Sequence, residues 1–422
     1  EVGTTIYRPP YAPLSFAAIA GRNSYEYYDP ERKSPLHNWH ITNGAVFEDV
    51  GQWKRPWYFP INKDETMDEA VQRESKNVRE NAGVLDGSTL GKIEIKGKDA
   101  LAFMNLIYTN SFSKMKPGTS RYALMLGEDG MVKDDGIICK ISDEHFIATT
   151  TTGGAATVLG CMEEYAQTEW PNLNVYMNSI TEQYATFNIS GPKTRNIIEK
   201  VFPEVNFSNE AFPFMTFQFH EYEDTPIRIL RASFTGEMGY EIYVPSNQAL
   251  KIWEKIINFG KEFGLKPYGT ETMHLLRAEK GYIIVGQDTD GSITPLDLGL
   301  DWMIGKSKKD FLGKRSLIRS DTVRKDRKQL VGILPTNKNE KLEEGQHIIL
   351  DKEIKTPTPM LGHITSCYQS PTLGHNFALA VIKNGQSLIG TKAFASTPEL
   401  KTIEVEIVEP IFYDKENTKL AS

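Results

Sequence analysis

The stretch Arg121-Tyr-Ala-Leu-Met-Leu-Gly-Glu-Asp-Gly-Met-Val-Lys-Asp-Asp-Gly-Ile-Ile-Cys-Lys140 decides the fold prediction. An apolar run at 123–126 is followed by a glycine-containing turn at 127–130, and a second apolar run begins at Ile137. Apolar runs separated by glycine and acidic turn residues are typical of paired strands. The stretch therefore predicts a β-hairpin, in which the two glycines act as turn formers.

Two adjacent acids, Asp134 and Asp135, lie at the start of the second strand of this hairpin. Neighbouring residues of a strand point to opposite faces, so only one of the two is expected to face inward. Because burying a bare charge is costly, an inward carboxylate must be paired or must serve a function. Turn capping or a salt bridge explains such a residue as well as a catalytic role does.

Size and composition narrow the possible classes of protein. The chain has 422 residues, of which 40% are hydrophobic and 24% are charged, and its formal charge is -7. Length suggests two or three domains, and the acidic balance provides no basic surface for nucleic acid. No apolar run approaches the roughly 20 residues that span a bilayer. The chain begins with Glu1, so we expect it to be a piece of a longer protein.

The three cysteines, Cys139, Cys161 and Cys367, are widely spaced and form no CxxC pair. Neither a zinc site nor a disulfide framework is therefore predicted, and a reducing cytoplasm fits best. His37 and His40 could be metal ligands by type, but nothing completes a site around them. We expect both histidines to be structural and predict no metal.

Residues 1–60 form a segment that is rich in proline and aromatic residues. Proline lacks an N–H donor and disfavours helix at the preceding residue, so little regular structure is predicted here. Large rings are seldom left in water, and the segment is expected to wrap a partner surface or to line a cavity. Its clusters lie at 8–13, 37–40 and 51–60.

Strand and helix patterns over 90–170 predict an α+β module of the ferredoxin-like type. Residues 183–310 show a similar succession of predicted strands and helices. A charged stretch at 322–330 is interpreted as a solvated linker. Short alternating segments separated by proline and glycine follow it and predict a small all-β barrel or sandwich.

Further polar residues stand out in the second half of the chain. Glu241 lies in a predicted strand, and Arg277 lies among apolar residues of a predicted helix, so Glu241 is a candidate ion-pair partner for Arg277. Alternatively, a carboxylate such as Glu241 can bind a pterin or guanine edge through two near-parallel hydrogen bonds. The run 149–154, Thr-Thr-Thr-Thr-Gly-Gly, precedes a predicted helix and suits either a ligand site or ordinary capping.

The order and spacing of several motifs resemble the aminomethyltransferase (glycine-cleavage T-protein) family over about residues 50–412. A closer likeness within that family is to the C-terminal folate domains of the alpha subunits of heterotetrameric sarcosine oxidases, and this likeness extends back to Arg8. The motifs are Gly130-Met-Val-Lys-Asp-Asp, Thr149-Thr-Thr-Thr-Gly-Gly, Phe234-Thr-Gly-Glu-Met-Gly-Tyr-Glu-Ile, Leu276-Arg-Ala-Glu-Lys-Gly, Gly286-Gln-Asp-Thr-Asp-Gly and Phe311-Leu-Gly-Lys-Arg.

The resemblance implies an α+β fold, a three-domain cloverleaf around a central folate channel. The implied first folate domain comprises 61–85 and 180–320, the ferredoxin-like second domain 86–179, and the C-terminal β-barrel 325–422. The segment 1–60 precedes them.

The resemblance also implies roles for individual residues. Asp134 aligns with the catalytic aspartate, and Glu241 and Arg277 align with residues that hold the pterin end of tetrahydrofolate. Tyr122 and Phe234 align with tyrosines that line the site, although Phe234 lacks the hydroxyl. Thr151 replaces the asparagine of the T-protein, which favours the sarcosine oxidase branch.

The implied activity is the capture of the carbon released by sarcosine oxidation as 5,10-methylenetetrahydrofolate. A flavin is expected only in a partner subunit, a beta-type flavoprotein, with smaller subunits completing the complex, because no flavin motif is present in the chain. The alternative is a free-standing folate-dependent aminomethyl- or methyltransferase. A third possibility is a catalytically silent folate-binding or scaffold module.

Overall fold

The computed structural model describes residues 15, 27, 30–354 and 357–421, so the cluster at 8–13 lies outside the described residues. From residue 32 the chain forms a three-stranded sheet and a short helix, and the prediction of little regular structure is wrong for this part. The strand register shifts opposite Pro56, which accommodates the missing N–H. The elements are β1 (Arg32–Lys33), α1 (His37–Thr42), β2 (Val46–Val50) and β3 (Trp53–Tyr58).

Several aromatic rings of this segment pack against the chain itself. Trp39 lies edge-on to Trp253, with 5.2 Å between ring centroids, and the Arg32 guanidinium lies 4.1 Å from the centre of the Trp53 ring. These rings do not need a partner surface to leave water, whereas Tyr27 is 90% exposed.

Helix α2 (Met67–Glu80) leads into β4 (Ala82–Asp86), the first strand of a six-stranded sheet. Its N-terminus carries a capping box, in which Thr66 accepts from the Glu69 backbone and Glu69 accepts from the Thr66 backbone. Such reciprocal bonds satisfy two otherwise unpaired N–H groups and define where the helix begins.

The next module contains the hairpin predicted from the sequence. Its five strands pair in the order β6-β7-β8-β5-β9, one strand more than the four of a ferredoxin-like unit. Gly130 has a φ of 84°, as the turn between β6 and β7 requires. The elements are β5 (Gly91–Lys96), α3 (Ala100–Ile107), β6 (Thr119–Leu126), β7 (Val132–Ser142), β8 (His145–Thr150), α4 (Ala155–Thr168) and β9 (Tyr176–Ser179).

The chain then returns to the six-stranded sheet, whose order is β11-β12-β13-β10-β4-β14. Helices α5 and α6 cover one face of it through a core that includes Trp253, Phe187 and Ile242. The elements are β10 (Tyr184–Ser190), α5 (Thr194–Val201), β11 (Phe217–Tyr222), β12 (Thr225–Leu230), β13 (Gly239–Pro245), α6 (Ala249–Gly260), β14 (Leu265–Pro267) and α7 (Thr270–Glu279).

The C-terminal strands form a closed six-stranded barrel, and the prediction of a β-barrel is confirmed. The prediction of a solvated linker at 322–330 is wrong for its last residues. Arg327 is buried, with 2.8 Å between its guanidinium and the Asp297 carboxylate, and β15 begins at the next residue. The elements are β15 (Lys328–Pro335), β16 (His347–Ile349), β17 (Gly362–Ser370), β18 (His375–Lys383), β19 (Lys392–Ser396), β20 (Thr402–Val408) and α8 (Thr418–Ala421).

The uncovered faces of the two large sheets pack against each other. Ile137 and Cys139 of β7 share a hydrophobic cluster with Leu230 of β12 and Tyr243 of β13. The predicted α+β fold class is confirmed. No helix among the described residues is long and apolar enough to cross a bilayer.

Candidate functional site

The acid pair of the hairpin divides between the two faces of the five-stranded sheet. Asp134 lies opposite Met125 in the strand register, and Asp135 lies opposite Leu124. Met125 belongs to the core under α3 and α4, whereas Leu124 belongs to a core shared with the barrel. Both acids are at least partly buried. The expectation that they point to opposite faces agrees with this register.

The side chain of Asp134, on β7, lies beside the loop that precedes α4, and the residue is only 3% exposed. Its Oδ1 accepts a hydrogen bond from the Asp135 backbone at 3.0 Å and a long one from the Thr151 backbone at 3.4 Å. Its Oδ2 is buried and has no hydrogen-bond partner in the described part of the chain. Burial raises the pKa of this carboxyl, and the hydrogen bonds oppose the shift. Thr151 and Asp134 are therefore neighbours that are joined by a backbone-to-side-chain hydrogen bond.

Asp135 lies on the other face, together with Tyr122. The Tyr122 hydroxyl donates to Asp135 Oδ2 at 2.7 Å. Burial raises the pKa of Asp135 to about 7, and the neighbouring Asp134 adds to the shift, while the bond from Tyr122 opposes it. A carboxyl with a pKa near neutrality is suited to general acid–base chemistry. The sequence presents Asp134 and Asp135 as an acid pair, and the resemblance assigns the catalytic role to Asp134. The sequence does not show which face of the sheet each residue occupies.

Glu241 lies on β13, on the face of the six-stranded sheet that is turned away from α5 and α6. Its carboxylate accepts from Asn188 Nδ2 at 3.0 Å and from the Tyr243 hydroxyl at 2.5 Å. Burial raises its pKa, and these hydrogen bonds and the nearby cations oppose the shift. Glu241 and Phe234 line the same cavity of about 20 Å³. That volume holds one water molecule, so a ring ligand requires the lining side chains to move apart.

Arg277 is fully buried but does not pair with Glu241, so that prediction is wrong. It forms an ion pair with Asp288 and donates to Ser366 Oγ of the barrel at 2.6 Å. After α7 the chain reverses at Gly281, where φ is 68°, and returns Asp288 to the arginine. The turn and the barrel thus supply partners for both terminal nitrogens of the guanidinium, whereas its buried Nε has no hydrogen-bond partner among the described residues.

Phe234 connects the cavity at Glu241 with the surroundings of Arg277 only indirectly. Its ring stacks on Tyr282 with a centroid distance of 6.0 Å, and the Tyr282 carbonyl accepts from Arg277 at 2.9 Å. Of the six residues predicted for the site, Tyr122, Asp134 and Thr151 lie on the hairpin module, and Glu241 and Phe234 share a cavity. Arg277 belongs to the contact with the barrel.

The face around Glu241 carries buried polar atoms without a hydrogen-bond partner among the described residues. They are Thr186 Oγ1, Asn188 Oδ1 and Arg228 Nε. Thr186 and Asn188 lie on β10, directly opposite Tyr243 and Glu241, and Arg228 of β12 also lies opposite Tyr243. Buried polar atoms are normally paired, so donors and acceptors in this arrangement fit a polar heteroaromatic ring such as a pterin.

The two histidines of the N-terminal segment have structural contacts. His40 Nε2 lies 3.0 Å from Asp86 Oδ2, and the His37 ring packs against Phe47 with centroids 4.7 Å apart. Where the structure describes the chain, no three His, Cys, Asp or Glu side chains converge as a metal site requires. Cys139, Cys161 and Cys367 are unpaired as disulfides.

Two protein families match most of the chain. The GCVT N-terminal domain matches residues 36–308, and the glycine cleavage T-protein C-terminal barrel domain matches residues 328–414. The chain is 50% identical over 422 residues to the sarcosine oxidase subunit alpha of Corynebacterium sp. (strain P-1), covering 99% of this chain and 43% of that protein. It thus spans less than half the length of that relative.

Complete proteins of similar length also match. The aminomethyltransferase of Thermoanaerobacter sp. (strain X514) is 30% identical, with 93% of this chain and 100% of that protein covered. The crystal structure of the glycine cleavage system aminomethyltransferase T from Bartonella henselae shares the fold, with a TM-score of 0.78, 22% identity and coverage of 91% and 98%. The chain belongs to the glycine cleavage T-protein (aminomethyltransferase) family.

Proposed function

We propose that this chain is the tetrahydrofolate-binding part of a sarcosine oxidase, in which it captures the iminium- or formaldehyde-level carbon as 5,10-methylenetetrahydrofolate. Half of its residues are identical to a sarcosine oxidase alpha subunit along the whole chain. The observation that carries the proposal is the group of unpartnered buried polar atoms around Glu241.

Glu241 is the residue proposed to hold the pterin edge. When bound, tetrahydrofolate supplies the amine nitrogens that accept a one-carbon unit. An ionised Glu241 accepts two parallel hydrogen bonds from adjacent N–H and NH2 groups, which gives both strength and orientation. Asn188 and Tyr243 keep the carboxylate in place, and the free Asn188 Oδ1 is an additional acceptor.

The acid pair is proposed to manage the proton that leaves the folate amine. The family resemblance points to Asp134, whereas the hydrogen bond from Tyr122 and the pKa near 7 favour Asp135. In this proposal Asp135 takes the proton and Asp134, with Thr151, fixes the strand that carries it. A positioned acid–base group contributes about 10²–10⁴-fold to a rate.

The roles of the remaining predicted residues follow from their contacts. Phe234 is proposed to line the pterin cavity without a hydrogen bond of its own, since phenylalanine has no hydroxyl. Arg277 is proposed to secure α7 to the barrel instead of contacting the ligand. Holding a reactive one-carbon donor near its acceptor and away from water accounts for much of the remaining rate.

The proposal requires partners that perform the oxidation. A beta-type flavoprotein subunit would oxidise sarcosine, and smaller subunits would complete the complex. The competing function, a free-standing folate-dependent aminomethyl- or methyltransferase, draws support from the complete aminomethyltransferases that match the chain. Purification of the full-length protein from its native host separates the two, since a sarcosine oxidase part co-purifies with a yellow subunit and a free-standing transferase does not.

Calorimetric titration with tetrahydrofolate tests the binding site. Wild type is expected to bind, and Glu241→Ala is expected to lose at least tenfold in affinity, because hydrogen bonds to a charged group contribute about 1.5–3 kcal/mol. Glu221→Ala is the matched control, since Glu221 is an exposed glutamate on a strand of the same sheet. Equal affinity of the two variants would remove Glu241 from the site.

Transfer assays with the assembled oxidase and sarcosine test the acid pair. We expect Asp135→Asn to reduce methylene transfer by about 10²-fold or more with folate affinity nearly unchanged. A larger loss in Asp134→Asn than in Asp135→Asn would reassign the role to Asp134. Unchanged transfer in both variants would remove the pair from the mechanism.

A further inference from the structure

Lys92 is a buried lysine at the start of β5. It is 1% exposed, and its amine donates to the carbonyls of Ser88 and Leu90, both at 2.9 Å. These are its only hydrogen-bond acceptors within residues 30–354 and 357–421, and no carboxylate there forms a salt bridge with it. An ammonium group has three donors, so a buried cation with two neutral partners is electrostatically incomplete.

A short series of contacts connects Lys92 to Glu241. Ser88 holds the amine through its carbonyl, and its hydroxyl accepts from the Thr186 backbone at 3.1 Å. Thr186 lies opposite Tyr243 in the strand register, and the Tyr243 hydroxyl donates to Glu241 at 2.5 Å. The turn between β4 and β5 thereby places the lysine beside the strands that carry the carboxylate.

Arg228 of β12 is a second buried cation, and it lies opposite Tyr243 in the strand register. It is 6% exposed, and its guanidinium lies 4.0 Å from the centre of the Tyr243 ring. No carboxylate in the described chain forms a salt bridge with it. Glu241 forms no salt bridge with Lys92 or Arg228, and its direct partners, Asn188 and Tyr243, are neutral.

The charges of these groups act on each other. Burial lowers the pKa of Lys92 to about 7, while Asp86 and Glu241 oppose the shift and Arg228 adds to it. In return, Arg228 and Lys92 oppose the burial that raises the pKa of Glu241. Asp86 is already bound to His40, Ser34 and the Ser88 backbone, which leaves Glu241 as the carboxylate free to respond.

Cys139 of the facing sheet is the remaining titratable group beside Tyr243 in this cluster. Burial raises the pKa of its thiol to about 11, so it stays neutral at physiological pH and cannot supply charge. Tyr243 also remains neutral, because burial raises its pKa well above the ordinary value. Lys92 therefore loses its charge near neutral pH, whereas Cys139 and Tyr243 stay neutral.

We propose that Lys92 is a positioning residue of the folate site, whose positive charge, with that of Arg228, keeps the buried Glu241 carboxylate ionised and able to accept the donors of the pterin edge. The inference rests on the proposed function of Glu241. It gives a reason for two buried cations that form no salt bridge among the described residues. Lys92 acts on Glu241 from the facing sheet, and Arg228 acts from β12 of the same sheet.

The test is the affinity for tetrahydrofolate, measured by anaerobic calorimetry from pH 5.5 to 9 on the whole chain. Lys92→Gln removes the charge and keeps a donor for the Ser88 and Leu90 carbonyls. Without the charge the pKa of Glu241 rises, so the acidic limit of binding moves to higher pH. We expect about tenfold weaker binding at pH 6, the order of effect of one unit charge acting without direct contact inside a protein.

The high-pH end of the profile separates this role from a structural one. At pH 9 Lys92 is neutral in wild type and Glu241 is ionised in both proteins, so the two affinities are expected to converge. Lys92→Arg keeps the charge and is expected to follow wild type at pH 6. Lys96→Met is the matched control, an exposed lysine on the same face of β5.

The outcomes are distinct. A Lys92→Gln affinity equal to wild type at every pH, or weaker by the same factor at every pH, overturns the proposal. If Lys92→Gln fails to fold, the same comparison with Lys92→Met, which also removes the charge, decides; Arg228→Met against Arg228→Lys tests the contribution of Arg228. Loss of folate binding by Glu241→Ala with an unchanged Lys92→Gln profile refutes only the role of Lys92, whereas a wild type that binds no folate refutes both proposals.

Discussion

Replacing Asp288 by Asn tests whether Arg277 secures the barrel or serves the ligand. The Arg277 and Asp288 side chains are both 0% exposed and form an ion pair. Asparagine preserves the shape, so the substitution leaves no cavity. It removes the charge and also replaces one accepting oxygen with an NH2 group, which faces the donors of Arg277 and Ile284 or those of Thr365 and Ser366. Removing one partner of a buried ion pair costs about 3–5 kcal/mol, because the other charge remains buried without compensation.

Urea unfolding, followed by circular dichroism, measures this loss. We expect the free energy of unfolding of Asp288→Asn to fall by about 3–5 kcal/mol, with the affinity for tetrahydrofolate within about twofold of wild type. The matched control is Asp290→Asn, since Asp290 is 42% exposed and its bridge to Lys328 is long, at 3.5 Å. Exposed pairs contribute about 0–1 kcal/mol, so the control should be close to wild type.

A second variant checks the cause. Arg277→Met combined with Asp288→Asn removes the cation as well, and we expect it to be more stable than Asp288→Asn alone. The reasoning would be refuted by a loss below about 1 kcal/mol in Asp288→Asn. It would also be refuted if the variant kept its stability and lost folate affinity, because Arg277 would then act on the ligand.

Three other substitutions have outcomes that follow from single contacts. Tyr122→Phe removes the bond that opposes the raised pKa of Asp135, so the pH profile of transfer should move up by about one unit. Gly154→Ala would place a methyl carbon 2.4 Å from Asp134 Oδ2 and should cost about 1–3 kcal/mol in urea unfolding, whereas Gly153→Ala meets nothing within 4 Å and should be neutral. The hydrogen bonds of Asp86 lower its pKa to about 2. The ionised carboxylate therefore stabilises the fold by about 2 kcal/mol above pH 4, and this stabilisation disappears as the pH falls towards 2. The free energies of unfolding at pH 7 and at pH 3 should differ less in Asp86→Asn than in wild type.

The difference between Asp134 and Asp135 illustrates the limit of a sequence motif. Their adjacency predicts that one faces each way, because side chains alternate along a strand. Which of them faces the second sheet depends on which side of β7 the helices α3 and α4 cover. That packing is visible only in the register of β6 and β7 and in the cores on either side.

The N-terminal segment illustrates a different limit. Prolines and rings predict irregular chain when each residue is considered by its own propensity. The observed sheet at 32–58 tolerates Pro56 through a register shift, and its rings pack on residues such as Trp253, about 200 positions away. Burial against distant residues outweighed the local preference.

The amino-acid sequence by itself determined the elements whose signals are local: the hairpin around the acid pair, the helices with apolar periodicity, the alternating strands of the barrel and the motifs that indicate the family. The tertiary structure alone decided which charged groups meet. Arg277 pairs with Asp288 and not with Glu241, and the buried cations Lys92 and Arg228 come from separate strands, β5 and β12. Periodicity and turn chemistry act over a few residues, whereas the partner of a buried charge is set by the way whole sheets pack.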